Sequence, residues 1–228
     1  MATLFHFPLD PLSRRVRLAI AEYGFEVELE EARPWEPSPL PEDLVPPAEL
    51  PILVDNGGAF VSGLGPVSEY LEEVNDAASV TLFGKTPSER AETRRLAAWF
   101  DQHFYSDVSG PLLSEKIVRR FLPREAGGGS PDMTRVRAAL GQIRMHLDLI
   151  GDLAEKRSWL AGRELTIADL AAAAHLSVVD YLGDVPWHEN ESARHWYQRI
   201  KSRPSFRPLL ADYIRGLAPP RQYADLDF

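Results

Sequence analysis

Apolar positions dominate residues 159–182, WLAGRELTIADLAAAAHLSVVDYL. From Ile167 onward this stretch leaves little polar face, and a helix of that kind is surrounded by other elements rather than laid on a surface. Thr166 is placed to cap the helix, and Asp169, three residues later, to close a capping box. The pattern therefore predicts a buried helix at the centre of a helical domain. Thr166 and Asp169 are expected to cap it and to carry no chemistry.

The first third of the chain mixes strand-like and helix-like patterns. Residues 3–7 and 25–29 are β-prone, and residues 13–24 between them have helical spacing. A proline-rich stretch, 34–47, follows, in which neither helix nor strand pairing persists. Residues 51–54 and 59–61 flank the turn Asp-Asn-Gly-Gly, which is typical of a β-hairpin, and a short helix is expected over 66–74.

Helical spacing returns in the second half of the chain. Ser88 is placed to cap a helix that runs through Phe104, and Gly110-Pro111 is expected to break or kink it before helix resumes over 113–122. Further helices are predicted over 133–153, 192–202 and 205–214. We therefore divide the chain into domains at 1–78 and 85–216, with a C-terminal arm at 217–228.

Composition excludes several classes of function. The net charge of -9 argues against nucleic acid or an anionic membrane as the main partner, because both need clustered positive charge. The sequence has no cysteine, which excludes disulfides, a thiol nucleophile and thiolate-bound zinc. No leader-like or membrane-spanning pattern is present, so we expect a cytoplasmic location and no direct membrane insertion.

Two motifs connect the chain to a known family. Trp159-Leu160-Ala161-Gly162 followed by the Thr166/Asp169 cap resembles the C-terminal domain of the glutathione S-transferase superfamily. The strand–helix–strand, hairpin, helix order resembles the thioredoxin-like half of the same family. The resemblance implies an α+β fold with an N-terminal thioredoxin-like domain and a C-terminal all-α bundle. It also implies a cis Pro51, although a trans proline starting a strand fits the local sequence equally well.

The groups that such a transferase uses for glutathione are replaced. The family places a hydroxyl or thiol near the start of the first helix, and the matching position holds Asp10, with Ser13 as the nearest hydroxyl. A carboxylate there would raise the pKa of a neighbouring thiol. The Glu-Ser pair that grips the γ-glutamyl group becomes Gly63-Leu64, which offers no side-chain hydrogen bond to a carboxylate. The sequence therefore predicts a degenerate glutathione site around Asp10, Ser13, Pro51, Gly63 and Leu64, with no catalytic residue.

Other chemistry has little support in the sequence. The six histidines show no metal-ligand spacing, so no metal and no cofactor are expected. His175, in the middle of the buried helix, is expected to be a hydrogen-bonded core residue.

The remaining motifs indicate protein recognition. Trp35 in the proline-rich loop, the Gly63-Leu64 departure, the 114–122 helix and the terminal Asp-Leu-Asp-Phe resemble the FtsZ-binding cell-division members of the superfamily. That resemblance implies a homodimer, recruited to the division site, that binds FtsZ filaments and regulates septal constriction without catalysis. A second division-complex protein is expected to bind the arm. The alternative is a glutathione S-transferase acting on small electrophiles.

Two surfaces are the candidates for these partners. An aromatic anchor beside basic residues suits an acidic filament, and the arm offers aromatic and acidic side chains to the second partner. The sequence leaves three alternatives open: Trp35 packs under its own loop, the basic residues are only a solvated helix face, and the arm is frayed. The candidate residues are Trp35, Lys116, Arg119 and Arg120 for the filament, and Tyr223, Asp225, Leu226, Asp227 and Phe228 for the arm.

Overall fold

Four short strands form one sheet in the N-terminal half. The computed structural model describes residues 1–37, 47–75 and 80–226. The strand order is β2-β1-β3-β4, with β1 parallel to β2 and the other pairs antiparallel, as the predicted hairpin requires. The strands are β1 (Ala2–His6), β2 (Val27–Glu31), β3 (Ile52–Val54) and β4 (Phe60–Ser62).

Two helices complete this half. Helix α1 (Pro11–Tyr23) begins directly after its N-cap residue, Asp10. It ends at Gly24, which adopts the left-handed conformation with φ 75°. Helix α2 (Leu64–Glu73) follows β4 directly and begins two residues before the predicted start. The predicted thioredoxin-like arrangement is confirmed. Most of the predicted proline-rich loop lies outside the described residues.

A long helical segment opens the second half. Helix α3 (Pro87–Trp99) is capped by Thr86 through a capping box with Glu89, so the predicted cap at Ser88 is wrong by two residues. The predicted break at Gly110-Pro111 is also wrong in one respect, because the backbone stays helical there. Wide π-helical turns at Phe100–Ser109 and Ser114–Val118 flank α4 (Gly110–Leu113) and lead into α5 (Arg119–Phe121). Across the first wide turn the Gly110 amide bonds the Tyr105 carbonyl.

The remaining helices surround the predicted central one. They are α6 (Met133–Lys156), α7 (Ile167–Tyr181), α8 (Glu191–Lys201) and α9 (Arg207–Leu210). Helix α7 is buried along its whole length, and Thr166 and Asp169 form its capping box, as predicted. Helix α9 is shorter than the predicted 205–214, because a 3₁₀ turn, Pro204–Phe206, precedes it and the helix ends at Leu210.

Two groups of buried side chains hold the halves together. The larger surrounds α7 and takes in α1 and the sheet. The smaller group, which we call the seam cluster, joins the end of β1 to the second half through Phe7, Leu9, Leu113, Ile117, Tyr181 and Tyr223. Within the described ranges, no helix is long and apolar enough to cross a membrane.

Candidate functional site

The start of α1 is closed by its own hydrogen bonds. Asp10 Oδ2 accepts from the Ser13 amide at 2.8 Å and from the Ser13 hydroxyl at 2.7 Å. The same hydroxyl accepts from the Phe7 amide at 3.3 Å, and Ser13 is fully buried. Burial raises the pKa of the Asp10 carboxyl, although hydrogen bonds from Ser13 oppose that shift. The hydroxyl that would hold a thiolate is therefore already engaged inside the protein.

The opposite wall of the predicted glutathione site has lost its side-chain donors. The Leu50–Pro51 peptide bond is cis, as the family resemblance implied. The Gly63 amide donates to the carbonyls of Pro51 and Glu49, both at 3.0 Å. Gly63 has φ 90°, a conformation that disfavours any side chain at this position. Leu64 begins α2 with an apolar side chain, so neither residue can grip a carboxylate through its side chain.

A cavity of about 330 Å³ lies between α1, α2 and α3. Its walls include Leu12, Leu64, Phe83, Ala97 and Ile167, and its charged groups pair with one another. The ion pairs are Arg15 with Asp101 and Arg94 with Glu69. The cavity therefore presents apolar walls and already neutralised charges to any ligand.

Ser109, His175 and Asp101 lie in a row near α1, but the serine and the histidine are closed to any substrate. Ser109 Oγ lies 2.8 Å from His175 Nδ1, and His175 Nε2 lies 3.5 Å from Asp101 Oδ1. Ser109 and His175 are both fully buried within helices. Asp101 also pairs with Arg15 of α1. The Arg15–Asp101 ion pair connects the two halves, and His175, bonded to Ser109, is the hydrogen-bonded core residue that the sequence predicted.

Trp35 packs across the seam between the two halves. Its ring stacks on Phe121 of α5 with centroids 4.6 Å apart, and it meets Phe7 edge-on at 5.4 Å. The side chain is half-buried, so part of it remains on the surface. Trp35 is thus anchored by both domains rather than by its own loop alone.

The basic residues near Phe121 differ in how available their charges are. Lys116 Nζ lies 2.5 Å and 2.7 Å from the Asp184 carboxylate oxygens. Arg119 is paired at 2.8 Å with Glu115, whose side chain is fully buried. Arg120 is exposed, and the described residues include no ion-pair partner for it. The expected basic patch is therefore largely neutralised within the chain, and Arg120 is its most accessible charge.

The first part of the arm, as far as Ala224, packs against the rest of the chain and is not frayed. Arg221–Ala224 forms a 3₁₀ turn that buries Tyr223 completely. The Tyr223 hydroxyl accepts from Arg14 Nη1 at 3.1 Å and donates to the Leu209 carbonyl at 3.0 Å. The expectation that Tyr223 fills a partner's pocket is wrong, because it fills a pocket of its own chain.

The end of the arm is more exposed than the docked turn that precedes it. Asp225 and Leu226 are exposed, whereas Asp227 and Phe228 lie outside the described residues. The buried network that holds the docked turn escaped sequence reasoning, since nothing local distinguishes Arg14 from the other arginines of α1. Arg14 also donates to Ser177 and Asp212, and it is fully buried.

Two of the six histidines are buried and uncharged. His6 and His146 are buried, and burial lowers the pKa of each to about 4, so both are neutral at pH 7. In the described part of the chain, no group of three or more acidic or histidine side chains is arranged to hold a metal ion.

Comparisons with known proteins identify the family. Models of the glutathione S-transferase N-terminal and C-terminal domains match residues 11–74 and 133–215. FtsZ-localized protein A of Caulobacter vibrioides is 45% identical over 229 residues, covering 99% of this chain and 98% of that protein. The solved structure of FzlA from C. crescentus, 45% identical, superposes with a TM-score of 0.90 and covers 100% of this chain and 99% of the other.

Another similar solved structure is described as a glutathione S-transferase rather than as an FtsZ-localized protein. A glutathione S-transferase from Sinorhizobium meliloti 1021 is 44% identical, with a TM-score of 0.93 and 100% of each chain covered. All three relatives match this chain from end to end. The chain belongs to the glutathione S-transferase superfamily, in the family of FtsZ-localized protein A.

Proposed function

We propose that this protein is a non-catalytic adaptor that binds FtsZ filaments at the bacterial division site and regulates septal constriction. The observation that carries the proposal is the end-to-end likeness to FtsZ-localized protein A. The geometry of the glutathione site supports the non-catalytic part. A site that recognises its ligand through polar groups loses orders of magnitude in discrimination when those groups are missing. Here the Ser13 hydroxyl is engaged and the gripping pair is Gly63-Leu64.

The filament surface that we propose is built on Trp35 and Phe121, and Arg120, the residue before Phe121 in α5, is its candidate charge. A half-buried aromatic held by packing is an effective anchor, because little side-chain entropy is lost when a partner covers its exposed part. Arg120 adds a charge that can pair with an acidic filament surface. Lys116 and Arg119 would contribute less, since each is already paired with a carboxylate.

The exposed end of the arm is the proposed site for a second division-complex protein. The docked turn at Arg221–Ala224 fixes the point from which Asp225 and Leu226 emerge. Leu226 offers an apolar contact, and Asp225 and Asp227 would set the polarity. We place the boundary between fold and partner site after Ala224.

A homodimer would give the adaptor two filament-binding surfaces. We expect two copies to pair about a two-fold axis, the commonest symmetry of soluble homo-oligomers, with α2 and α3 as the candidate contacts. Two binding surfaces in one particle would allow it to join neighbouring filaments. Sedimentation at tens of micromolar protein checks this, and a monomer at that concentration would contradict the bundling part of the proposal.

Cosedimentation with FtsZ filaments tests the adaptor function. We expect the wild type to pellet with filaments and Arg120→Glu to pellet several-fold less. Trp35→Ala should also lose binding, provided that its circular dichroism melt shows a folded protein. Arg137→Glu is the matched control, because Arg137 is exposed on α6. A wild type that stays in the supernatant would refute the function, whereas normal pelleting of both surface variants would refute only the location.

The alternative function is a glutathione S-transferase acting on small electrophiles. It is favoured by the retained cavity beside α1 and by the Sinorhizobium meliloti relative. Calorimetric titration with glutathione separates the two functions. Micromolar saturable binding, with turnover of a model electrophile that is lost in Ser13→Ala, would establish the transferase and remove the adaptor as the sole function.

A further inference from the structure

Strand β2 is an outer edge of the sheet, and half of its backbone groups point away from β1. The Ala32 amide donates a hydrogen bond to the His6 carbonyl. The backbone N–H and C=O groups of the even-numbered residues of β2 therefore point toward β1. Backbone groups alternate sides along a strand, so those of Val27, Leu29 and Glu31 face outward. No described residue hydrogen-bonds to these outward groups. A second strand could therefore pair along this edge.

An apolar groove follows the same edge on one face of the sheet. It has a volume of about 340 Å³ and lies between β2, α1 and α9. Leu29 lines the groove, and its side chain is 44% exposed. Arg17 also borders the groove, but Asp212 holds it through two hydrogen bonds of 2.8 and 2.9 Å. The groove is formed mainly by Ile20, Ala21, Phe25, Leu29, Pro208 and Leu209.

The other face of the same edge is acidic. Side chains alternate faces along a strand, which places Glu28 and Glu30 opposite Val27 and Leu29. Both glutamates are exposed, and neither forms an ion pair with a described residue. A strand added to β2 would therefore meet apolar contacts on one face and negative charge on the other.

We propose that the β2 edge binds an extended segment of a partner protein in which apolar residues alternate with lysine or arginine. Main-chain hydrogen bonds to Val27, Leu29 and Glu31 would supply pairing, the groove would take the apolar side chains, and Glu28 and Glu30 would take the cations. This site uses neither Trp35 nor the exposed end of the arm, although the docked turn of the arm contacts Leu209 behind the groove. A second copy of this chain is a poor occupant, because two acidic edges would place like charges opposite each other.

The test uses a synthetic peptide as the probe. An acetylated, amidated peptide of about eight residues, the usual length of a strand, alternates lysine and valine. Its controls are a peptide of the same composition with lysines and valines in blocks, and an alternating peptide N-methylated on the amides that would face β2. We expect saturable binding of the first peptide alone to the full chain by isothermal titration calorimetry, with amide NMR shifts at Val27, Leu29 and Glu31.

Variants of the protein separate the edge from general charge attraction. Glu28→Lys/Glu30→Lys should weaken binding by at least about tenfold, equivalent to ~1.4 kcal/mol. Glu125→Lys/Glu155→Lys changes the net charge by the same amount at exposed positions in the helical second half and should bind as the wild type does.

Four results would overturn the proposal. One is equal binding of the alternating and block peptides, and another is equal weakening by the two double variants; either would mean that charge alone attracts the peptide. The third is a shift of the β2 amides with protein concentration alone, which would make the edge a self-association surface. No binding of the alternating peptide at millimolar concentration would mean that the acidic side chains only protect the edge.

Discussion

Replacing Tyr223 by alanine should destabilise the fold although the residue lies only five positions before Phe228. Its ring is fully buried and packs edge-on against Tyr181, with centroids 5.3 Å apart. Truncating a buried aromatic of this size costs about 3–5 kcal/mol of unfolding free energy. Arg14 would keep its bonds to Ser177 and Asp212, so no buried charge is left without a partner. We therefore expect a loss within that range for Tyr223→Ala.

A smaller change separates the hydroxyl from the ring. Tyr223→Phe keeps the packing but leaves the Leu209 carbonyl without its donor, which should cost about 1–2 kcal/mol. Urea unfolding followed by tryptophan fluorescence measures both variants. Protein concentration must be fixed, because dimer formation would couple to unfolding.

Tyr213 provides the matched control for this experiment. It lies in the same terminal region but is 57% exposed, so Tyr213→Ala should change stability by no more than about 0.5 kcal/mol. If Tyr223→Ala is no more destabilised than Tyr213→Ala, the docked turn contributes nothing to the fold. Tyr223 would then again be available to a partner, and the boundary placed after Ala224 would be wrong.

Three further predictions concern a buried histidine, the degenerate glutathione site and a buried glutamate. The pKa of His146 falls from 6.5 to about 4 on folding, so the free energy of unfolding decreases as the pH drops between these values. Between about pH 7 and pH 5, urea unfolding should show the wild type losing ~2 kcal/mol more stability than His146→Phe. Gly63→Glu/Leu64→Ser should not restore glutathione binding by calorimetry, because φ 90° at position 63 disfavours a side chain by ~1 kcal/mol or more; micromolar binding would contradict this. Glu115 accepts from two arginines and a backbone amide, so Glu115→Gln should cost ~2–4 kcal/mol in thermal or urea unfolding, whereas exposed Glu125→Gln should be neutral.

Local patterns predicted most of the fold, because the interactions behind them are short-range. The α7 capping box joins residues three apart, and the hairpin turn spans residues 55–58. Asp10 and Gly63-Leu64 were identified as departures from the family pattern because each lies in a fixed register to a recognisable neighbour. The continuous helix through Pro111 was missed, since a proline normally removes an α-helical bond and the wide turn that accommodates it leaves no local signal.

Side-chain partners that are distant in sequence could not be predicted. Lys116 and Asp184 are 68 residues apart, and Arg14 and Tyr223 are 209 residues apart. Each pair depends on how helices pack, which no periodicity in one segment reveals. Charge counting therefore overstated the basic patch, and the residues of the arm alone could not decide between a frayed segment and a docked one.

The wide turns in the long helical segment also determine the direction in which the side chains of the following helices, α4 and α5, point around the helix axis. Each residue of an α-helix advances the side-chain direction by about 100°. Deleting one residue within Phe100–Ser109 would turn α5 by roughly that angle relative to α3, and Phe121 would no longer lie against Trp35. Natural variants of this chain should therefore tolerate insertions and deletions poorly between Phe100 and Phe121, even where the inserted or deleted residue makes no contact of its own.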